Sequence, residues 1–204
     1  MKTIISLCSG TGAWERPYKD AGYTVVSITL PEFNVLETRF SKDEILFYSH
    51  RLHTDVKVKN VYGILAAPPC TMFSLAWTTA KTPRDFEGAM EVVSACLRII
   101  WTARANHGLK FWALENPTAY LRQFLGKPAM KFQPYEFGDR YKKSTDLWGY
   151  FNEPKKSLVV LTEKEIRDSR VNTRPLPKIK GLTVAARRAI TPAGFAQAFY
   201  KANL

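Results

Sequence analysis

The amino terminus combines a short apolar run with a glycine turn. Residues 3–8 are mostly aliphatic or β-branched, and they lead directly into Ser9-Gly10-Thr11-Gly12. Such a run is typical of a buried parallel strand, and residues 13–21 after the turn have helical spacing. This order predicts the first unit of a doubly wound sheet, which binds ligands at the carboxyl ends of its strands. Because Glu15 occupies the third glycine position of a dinucleotide fingerprint, a tight turn alone also explains the pattern.

The rest of the chain continues the alternation of strands and helices. We expect strands at 23–29, 53–58, 61–66, 109–114, 131–137 and 145–161, and helices at 32–47, 88–106, 118–125 and 192–201. The basic, proline-containing residues 162–180 are expected to be extended. The alternation predicts one α/β domain over residues 1–204, with a mostly parallel central sheet and helices on both faces.

The composition is typical of a packed globular protein. The chain is 46% hydrophobic and 13% aromatic, which argues against disorder. No apolar run reaches the roughly 18 residues that cross a bilayer, and the amino-terminal run is shorter than the core of a signal peptide. Three scattered cysteines, without a CxxC or Cys/His cluster, argue against a disulfide framework and a structural metal. We therefore expect a cytoplasmic protein without a metal site.

Positive charge points to a polyanionic partner. The chain has 30 Lys and Arg against 18 Asp and Glu, a formal net charge of +12. The excess is concentrated between Arg140 and Arg188, where 13 Lys or Arg stand against five Asp or Glu. Clustered cations favour contacts with phosphates over a merely solvated surface, so we expect a nucleic acid as partner.

Two polar residues follow predicted strands at the ligand-binding edge of the sheet. Cys70 comes after Pro68 and Pro69, which stiffen the backbone and hold the next side chain on a fixed loop. Glu115 follows the apolar strand at 109–114, and an acid in that position needs a partner. Because parallel strands end at the same edge, the thiol and the carboxylate are expected to lie on the same side of the sheet. Cys8 and Cys96 are interpreted as small hydrophobic residues.

These motifs resemble those of the cytosine-5 DNA methyltransferase family, and they follow the family's order over residues 3–199. Asp55 resembles the family's adenine-contacting aspartate. The other matching segments are Ser6–Ala13 with the glycine turn, Pro68–Ser74 with Cys70, Leu114–Pro117 with Glu115, and Thr191–Ala198, which packs beside the cofactor in the family. Each motif is short, and the specificity lies in their shared order.

The resemblance implies a Rossmann-like, S-adenosylmethionine-dependent methyltransferase that acts on a flipped cytosine in DNA. Cys70 attacks carbon 6 of the base, Glu115 binds ring nitrogen 3 and the exocyclic amine, and Asn116 completes the catalytic set. Carbon 5 then takes the methyl group from S-adenosylmethionine. The cofactor-binding residues implied are Leu7, Cys8, Ser9, Gly10, Thr11, Gly12, Thr29, Asp55, Pro68, Phe195 and Ala196. The loop at 71–87, with Trp77, Lys81 and Arg84, is expected to close over the base.

The basic residues are assigned to DNA. Those expected to contact it are Ser74, Arg84, Arg140, Lys143, Lys155, Lys156, Arg170 and Arg174. Phe137–Thr145 stands in place of the family's Gln-x-Arg-x-Arg strand. In this segment, Arg140 or Lys143 is expected to contact the base carbonyl or a phosphate, or to form a surface ion pair. The target-recognition excursion, at about 149–181, is short, so a short or degenerate target sequence is expected. Compact chains of this kind resemble phage or prophage members of restriction–modification systems, and we expect a monomer.

Other departures keep further functions open. The second strand ends in Ile28-Thr29-Leu30, without the family's ribose-binding acid, although Glu32 lies near in sequence. This leaves a modified methyl donor open. RNA or a free cytosine nucleotide is an alternative acceptor for the same chemistry. A DNA-binding protein on a decayed scaffold and a nucleotide-dependent oxidoreductase are further alternatives, but neither explains Cys70 together with Glu115.

Overall fold

The computed structural model describes residues 2–75, 82–170 and 180–204. The strands are β1 (Thr3–Leu7), β2 (Thr24–Ile28), β3 (Arg39–Phe40), β4 (Ile45–Ser49), β5 (Thr54–Val58), β6 (Val61–Ala66), β7 (Phe111–Pro117), β8 (Met130–Phe132) and β9 (Thr145–Tyr150). The helices are α1 (Arg16–Asp20), α2 (Phe86–Asn106), α3 (Leu121–Leu125), α4 (Glu163–Arg170), α5 (Val184–Ala189) and α6 (Ala193–Ala202). Short 3-10 helices cover Val35–Glu37 and Pro134–Glu136.

Six strands form the central sheet, in the order β2-β1-β6-β7-β9-β8. The first four are parallel to one another, whereas β9 runs antiparallel to both β7 and β8. Apolar residues of α2 pack on one face of this sheet, and those of α1 and α6 pack on the other. The prediction of an α/β, Rossmann-like fold with a mostly parallel sheet and helices on both faces is therefore confirmed.

The segment between β2 and β6 differs from the prediction. Residues 32–47 were expected to be helical, but they form a 3-10 turn and two strands of a separate antiparallel sheet, β3-β4-β5. Burial in β4 alternates, with Ile45, Phe47 and Ser49 buried and the residues between them half-exposed. This period of two is that of a strand, and pairing with β5 satisfies its backbone. The helix prediction was therefore wrong.

The predictions for the carboxy-terminal third were partly wrong. The expected strand at 131–137 is limited to β8 followed by a 3-10 turn, and the expected strand at 145–161 ends at Tyr150. Within residues 162–180, which were expected to be extended, residues 163–170 form helix α4 and 171–179 lie outside the described residues. The expected closing helix is confirmed as α6.

Helix α6 obtains its amino-terminal cap from a distant loop. Its N-cap position is Pro192, which has no side chain that could accept a hydrogen bond. The Asp139 carboxylate instead accepts from the Gly194 amide at 3.0 Å and also from the Phe195 amide. Burial raises the pKa of Asp139, and these two amide hydrogen bonds oppose that effect. The cap ties the loop after β8 to α6.

A glycine in β6 makes room for a core aromatic ring. Gly63 is the register partner of Phe111 in β7, and a methyl group on Gly63 would clash with the Phe111 ring. We expect Gly63→Ala to lower the free energy of unfolding by about 1–3 kcal/mol, the usual cost of overpacking. Urea unfolding followed by circular dichroism measures this change. The double variant Gly63→Ala/Phe111→Leu should lose less stability than the sum of the single variants, and simple additivity would contradict the clash.

Candidate functional site

A cavity of about 960 Å³ lies at the carboxyl ends of the parallel strands. Its walls come from residues 7–11 after β1, residues 67–71 after β6, and Glu115 and Pro117 of β7. Helix α5 and residues 141–144 contribute the remaining side. The volume is at the upper end of the range for small-molecule pockets. After the roles expected from the sequence, we call the part near Cys70 and Glu115 the acceptor end, and the part near the β1 turn and the end of β2 the cofactor end.

Most of the glycine turn lines the cofactor end of the cavity. Leu7, Cys8, Ser9, Gly10 and Thr11 all line the cavity, whereas Gly12 does not. Gly10 has φ +53°, and a side chain there would meet no protein atom within 4 Å. The turn therefore leaves open space beside its backbone, so a ligand can approach the chain closely.

Cys8 differs from an ordinary core cysteine. It has φ +55°, lines the cavity and packs against the cluster that contains Cys96. A hydrogen bond between the two thiols lowers the pKa of Cys8 and raises that of Cys96, and burial raises the pKa of both. Cys96 is fully buried in α2, which agrees with its interpretation as a small hydrophobic residue.

The loop that carries Cys70 is held on both sides. Before the thiol, the buried Asn116 side chain donates to the Pro68 carbonyl oxygen at 3.0 Å. After it, the Cys70 carbonyl accepts from the amides of Phe73 and Ser74 at 3.1 and 2.9 Å. Phe73 is fully buried and packs against Phe86 and Phe124. Both Cys70 and Ser74 line the cavity, on a loop that is fixed before any ligand binds.

Glu115 reaches the cavity from within β7. The strand continues through Pro117, and Glu115 is paired in register with Leu147 of β9. Its carboxylate lines the acceptor end and lies 3.6 Å from the Lys143 ammonium, with the residue only 7% exposed. Successive side chains of a strand point to opposite faces, so Glu115 faces the cavity while Asn116 reaches the Cys70 loop. Asn116 is therefore a positioning residue that does not itself line the cavity.

The charges around Cys70 act in opposite directions. Burial raises the pKa of the thiol, and the negative charge of Glu115 raises it further. Lys143 and Arg188 lower it, although they do not outweigh the first two. The thiol is therefore mainly protonated at neutral pH in the free protein. Glu115, Lys143 and Arg188 all line the same cavity as Cys70.

The other walls of the cofactor end come from the chain after β2. Thr29, one of the expected cofactor-binding residues, lines the cavity together with Leu30, Phe33, Asn34 and Val35. Asp55 does not line it, because it lies in β5 of the small sheet and forms an ion pair with Arg39. The structure therefore does not bring Asp55 to the site.

Helix α6 supports the cavity from behind. Phe195 and Ala196 are buried in the core, where the Phe195 ring stacks on Phe132 with centroids 3.9 Å apart. Neither of them lines the cavity, whereas Thr191 just before the helix does, as does Pro68 on the loop after β6. The apolar face of α6 thus packs on the sheet, and only the residues that precede the helix reach the cofactor end.

The predicted DNA-binding residues are spread over several surfaces. Lys143 and Ser74 line the cavity, but the Arg140 guanidinium forms two hydrogen bonds with Glu165 of α4, at 2.6 and 3.0 Å. The Arg84 guanidinium donates to the Met72 carbonyl at 2.5 Å and lies 4.8 Å from the Tyr120 ring centroid. Arg140 thus matches the alternative of a surface ion pair, and Arg84 braces the Cys70 loop.

The remaining predicted contacts lie outside the cavity. Lys155 is exposed, and the ammonium of Lys156 lies 2.9 Å from the Glu136 carboxylate. Arg174 lies outside the described residues, as do the side chain of Arg170 and the loop residues Trp77 and Lys81.

Sequence reasoning missed several residues of the cavity. Tyr141 and Arg188 line it beside Cys70 or Glu115, and Trp14 lines it while packing on the Phe195 and Phe199 rings. No local motif contains Tyr141 or Arg188, since both reach the site through long-range packing. The surplus of positive charge between Arg140 and Arg188 was the available signal.

Searches of the described residues for metal sites and membrane spans gave negative results. They contain no cluster of three His, Cys, Asp or Glu side chains arranged to hold a metal ion. None of their helices is both long and apolar enough to span a bilayer.

Comparisons with known proteins leave the family open. No protein-family model and no curated protein matches the chain. Among solved structures, the chain is similar to a crystal structure described as a candidate DNA modification methyltransferase encoded within a prophage (E. coli), with 12% identity and a TM-score of 0.43. The similarity covers 73% of this chain and 46% of that one, so the chain spans less than half the length of that protein.

Proposed function

We propose that the protein transfers a methyl group from S-adenosylmethionine to carbon 5 of cytosine in DNA, with Cys70 as covalent nucleophile. The observation that carries this proposal is that the Cys70 thiol and the Glu115 carboxylate line one cavity beside the glycine turn. A fixed thiol and a buried carboxylate facing the same space suit nucleophilic addition to a base that offers N–H and ring-nitrogen groups.

The proposed reaction divides one difficult substitution into two steps. Carbon 5 of cytosine is a poor nucleophile. Addition of the Cys70 sulfur to carbon 6 forms an S–C6 bond and moves the electrons of the C5–C6 double bond toward carbon 5. Glu115 holds ring nitrogen 3 and the exocyclic amine, which favours this addition. After carbon 5 has taken the methyl group, its proton is lost, the double bond forms again and the S–C6 bond breaks to return the Cys70 thiolate.

The cofactor end fits an adenosyl methyl donor. S-adenosylmethionine supplies an electrophilic methyl group. The turn at Ser9 and Gly10 offers backbone amides beside open space, and Thr29 offers a hydroxyl at the end of β2. Apolar side chains of Phe33 and Val35 give a wall suited to a purine ring. With no acid lining this end among the described residues, the ribose would be held by Thr29 or Asn34.

Several features support DNA as the acceptor. The net charge of +12 favours a polyanion over a mononucleotide. Among the described residues that line the cavity, Lys142, Lys143 and Arg188 are basic and Glu115 is the acid. A base paired inside a duplex cannot reach such a cavity, so the target nucleotide would be flipped out of the helix. The short excursion at 149–181 would then contribute few contacts to base edges, and a short target sequence is proposed.

Nucleoside mass spectrometry of DNA from cells that express the protein tests this function. We expect 5-methylcytosine above the level of cells that carry the empty vector. Assays of the purified protein with duplex DNA and with RNA of the same sequence separate the two acceptors. DNA without 5-methylcytosine, together with methylated RNA, would contradict the proposed acceptor, and no methyl transfer to either would contradict the reaction.

Removal of the nucleophile should abolish methyl transfer without unfolding the protein. We expect Cys70→Ala to be inactive and to keep its circular dichroism spectrum and thermal midpoint. An oligonucleotide with 5-fluorocytosine at the target should form a stable adduct with the wild type, because carbon 5 has no proton to lose. A denaturing gel and peptide mapping should place this adduct on Cys70. Methyl transfer by Cys70→Ala would rule out the assigned nucleophile.

Glu115→Gln should affect the thiol and the reaction in opposite directions. The negative charge of Glu115 raises the pKa of Cys70, so its loss should lower that pKa and speed alkylation of Cys70 by iodoacetamide near pH 7. Methyl transfer should nevertheless fall by about 10²–10⁴-fold, because the base loses its carboxylate partner. Peptide mass spectrometry across a pH series measures the alkylation of each cysteine.

A second variant checks this assignment. Lys143→Met should slow the alkylation of Cys70, because Lys143 lowers the pKa of that thiol. If Cys70 of the Glu115→Gln variant is alkylated at the wild-type rate and the variant keeps full methyl transfer, then Glu115 neither raises the pKa of Cys70 nor binds the base.

Neutralising four basic residues of the predicted recognition excursion should weaken DNA binding in a salt-dependent manner. We expect substitution of Lys155, Lys156, Arg170 and Arg174 by Gln to flatten the plot of log Kd against log salt by about 0.9 for each lost phosphate contact. Fluorescence anisotropy over a range of salt concentrations measures the slope. A control with Lys57 and Lys59, which pair with Glu44, should keep the wild-type slope. Equal slopes for the wild type and the fourfold variant would show that these four residues do not contact phosphates.

A further inference from the structure

Residues 139–143 form an unusually well-anchored segment beside the acceptor end. The Asp139 carboxylate caps α6, and the Arg140 guanidinium pairs with Glu165 of α4. The Lys142 amide donates to the Ser169 hydroxyl at 3.0 Å, and the Lys143 amide donates to the Gln133 side chain at 2.9 Å. Contacts to α4, α6 and the turn after β8 thus fix this backbone before any ligand binds. Groups held in this way can bind a ligand without being reorganised.

Tyr141 stands at the middle of this segment. Its side chain is half-buried and lines the cavity, and its backbone amide donates to the Asp139 carbonyl oxygen at 3.0 Å. Among the described residues, the Tyr141 hydroxyl has no hydrogen-bond partner. Burial raises the pKa of this hydroxyl, and the charges of Asp139 and Glu115 raise it further. The hydroxyl therefore remains protonated at neutral pH and can donate a hydrogen bond near Glu115.

The Watson–Crick edge of cytosine presents an amine, a ring nitrogen and a carbonyl oxygen. In the proposed function, Glu115 takes the first two, which leaves the carbonyl oxygen at position 2 in need of a donor. A buried carbonyl without a donor loses binding free energy. We propose that the Tyr141 hydroxyl donates this hydrogen bond, which makes Tyr141 a recognition residue for the 2-carbonyl of the pyrimidine. This inference rests on the proposed function and adds a contact that it does not contain.

The nearby cations are less suited to this role. Arg140 is fixed to Glu165 outside the cavity, and the ammonium of Lys143 lies 3.6 Å from Glu115. Arg188 affects the charge on Cys70, so it lies toward the nucleophile. Tyr141 offers a neutral donor close to Glu115, and it does so from a backbone that is already fixed.

A pair of acceptors that differ at one atom tests the contact. Two duplex oligonucleotides carry either cytosine or 2-thiocytosine at the target, because sulfur accepts hydrogen bonds only weakly. On cytosine we expect Tyr141→Phe to lower kcat/KM by about tenfold, as is typical for one lost hydrogen bond. On 2-thiocytosine the wild type should already be slower than on cytosine. Tyr141→Phe should then change kcat/KM by less than about twofold, because the sulfur accepts only a weak hydrogen bond from the Tyr141 hydroxyl.

Controls separate this inference from a structural effect and from the proposed function. Tyr150→Phe, at an exposed tyrosine that does not line this cavity, should match the wild type on both acceptors. An unchanged kcat/KM for Tyr141→Phe on cytosine, or equal losses on both acceptors, would overturn the role of Tyr141 while leaving the proposed function intact. A wild-type protein that methylates neither acceptor would overturn the proposed function and this contact with it.

Discussion

One hydrogen bond, from the Asn116 side chain to the Pro68 carbonyl, joins the two halves of the candidate site. The parallel pairing of β6 and β7 ends at Ala66 and Leu114, and beyond that point the strands no longer hold each other. The Asn116 bond continues the connection past the last pair, at 3.0 Å and fully buried. Because Cys70 follows Pro68 by two residues and Glu115 precedes Asn116 by one, this bond holds the thiol and the carboxylate in a fixed relation. Within the proposed reaction, cooperation between the two groups would depend on it.

Other buried polar groups stabilise the same region without facing the cavity. Asp146 of β9, the register partner of Asn116, is fully buried and accepts hydrogen bonds from Thr118 and Arg122. Since an unpaired buried carboxylate is costly, these two partners keep β9 beside β7 and hold the end of the strand that carries Glu115. On the other side of the acceptor end, Asp139 joins the segment of residues 139–143 to α6. The candidate reactive groups are therefore flanked by carboxylates that have hydrogen-bond partners.

Local patterns in the sequence predicted the parts of the site that depend on strand ends. The bounds of β6 follow from one apolar run, and the shared edge of Cys70 and Glu115 follows from the geometry of parallel strands. Residues 32–47 were misread because their alternation is short and their pairing partner, β5, comes later in the chain. Tyr141 could not be predicted, because its position depends on side-chain contacts to α4 and α6. Sequence patterns thus located the two candidate reactive groups, whereas tertiary contacts built the walls around them.

Within the proposed reaction, the electrostatics of the free site are consistent with a nucleophile that is activated by its substrate. In the free protein, burial and Glu115 keep the Cys70 thiol protonated, so it is protected from adventitious electrophiles. A bound cytosine would give Glu115 its exocyclic amine as a hydrogen-bond donor, which weakens the opposition of that carboxylate to a second negative charge. Lys143 and Arg188 already favour the thiolate and would then face less opposition. The same carboxylate that restrains the thiol at rest would thus allow it to ionise when the base is in place.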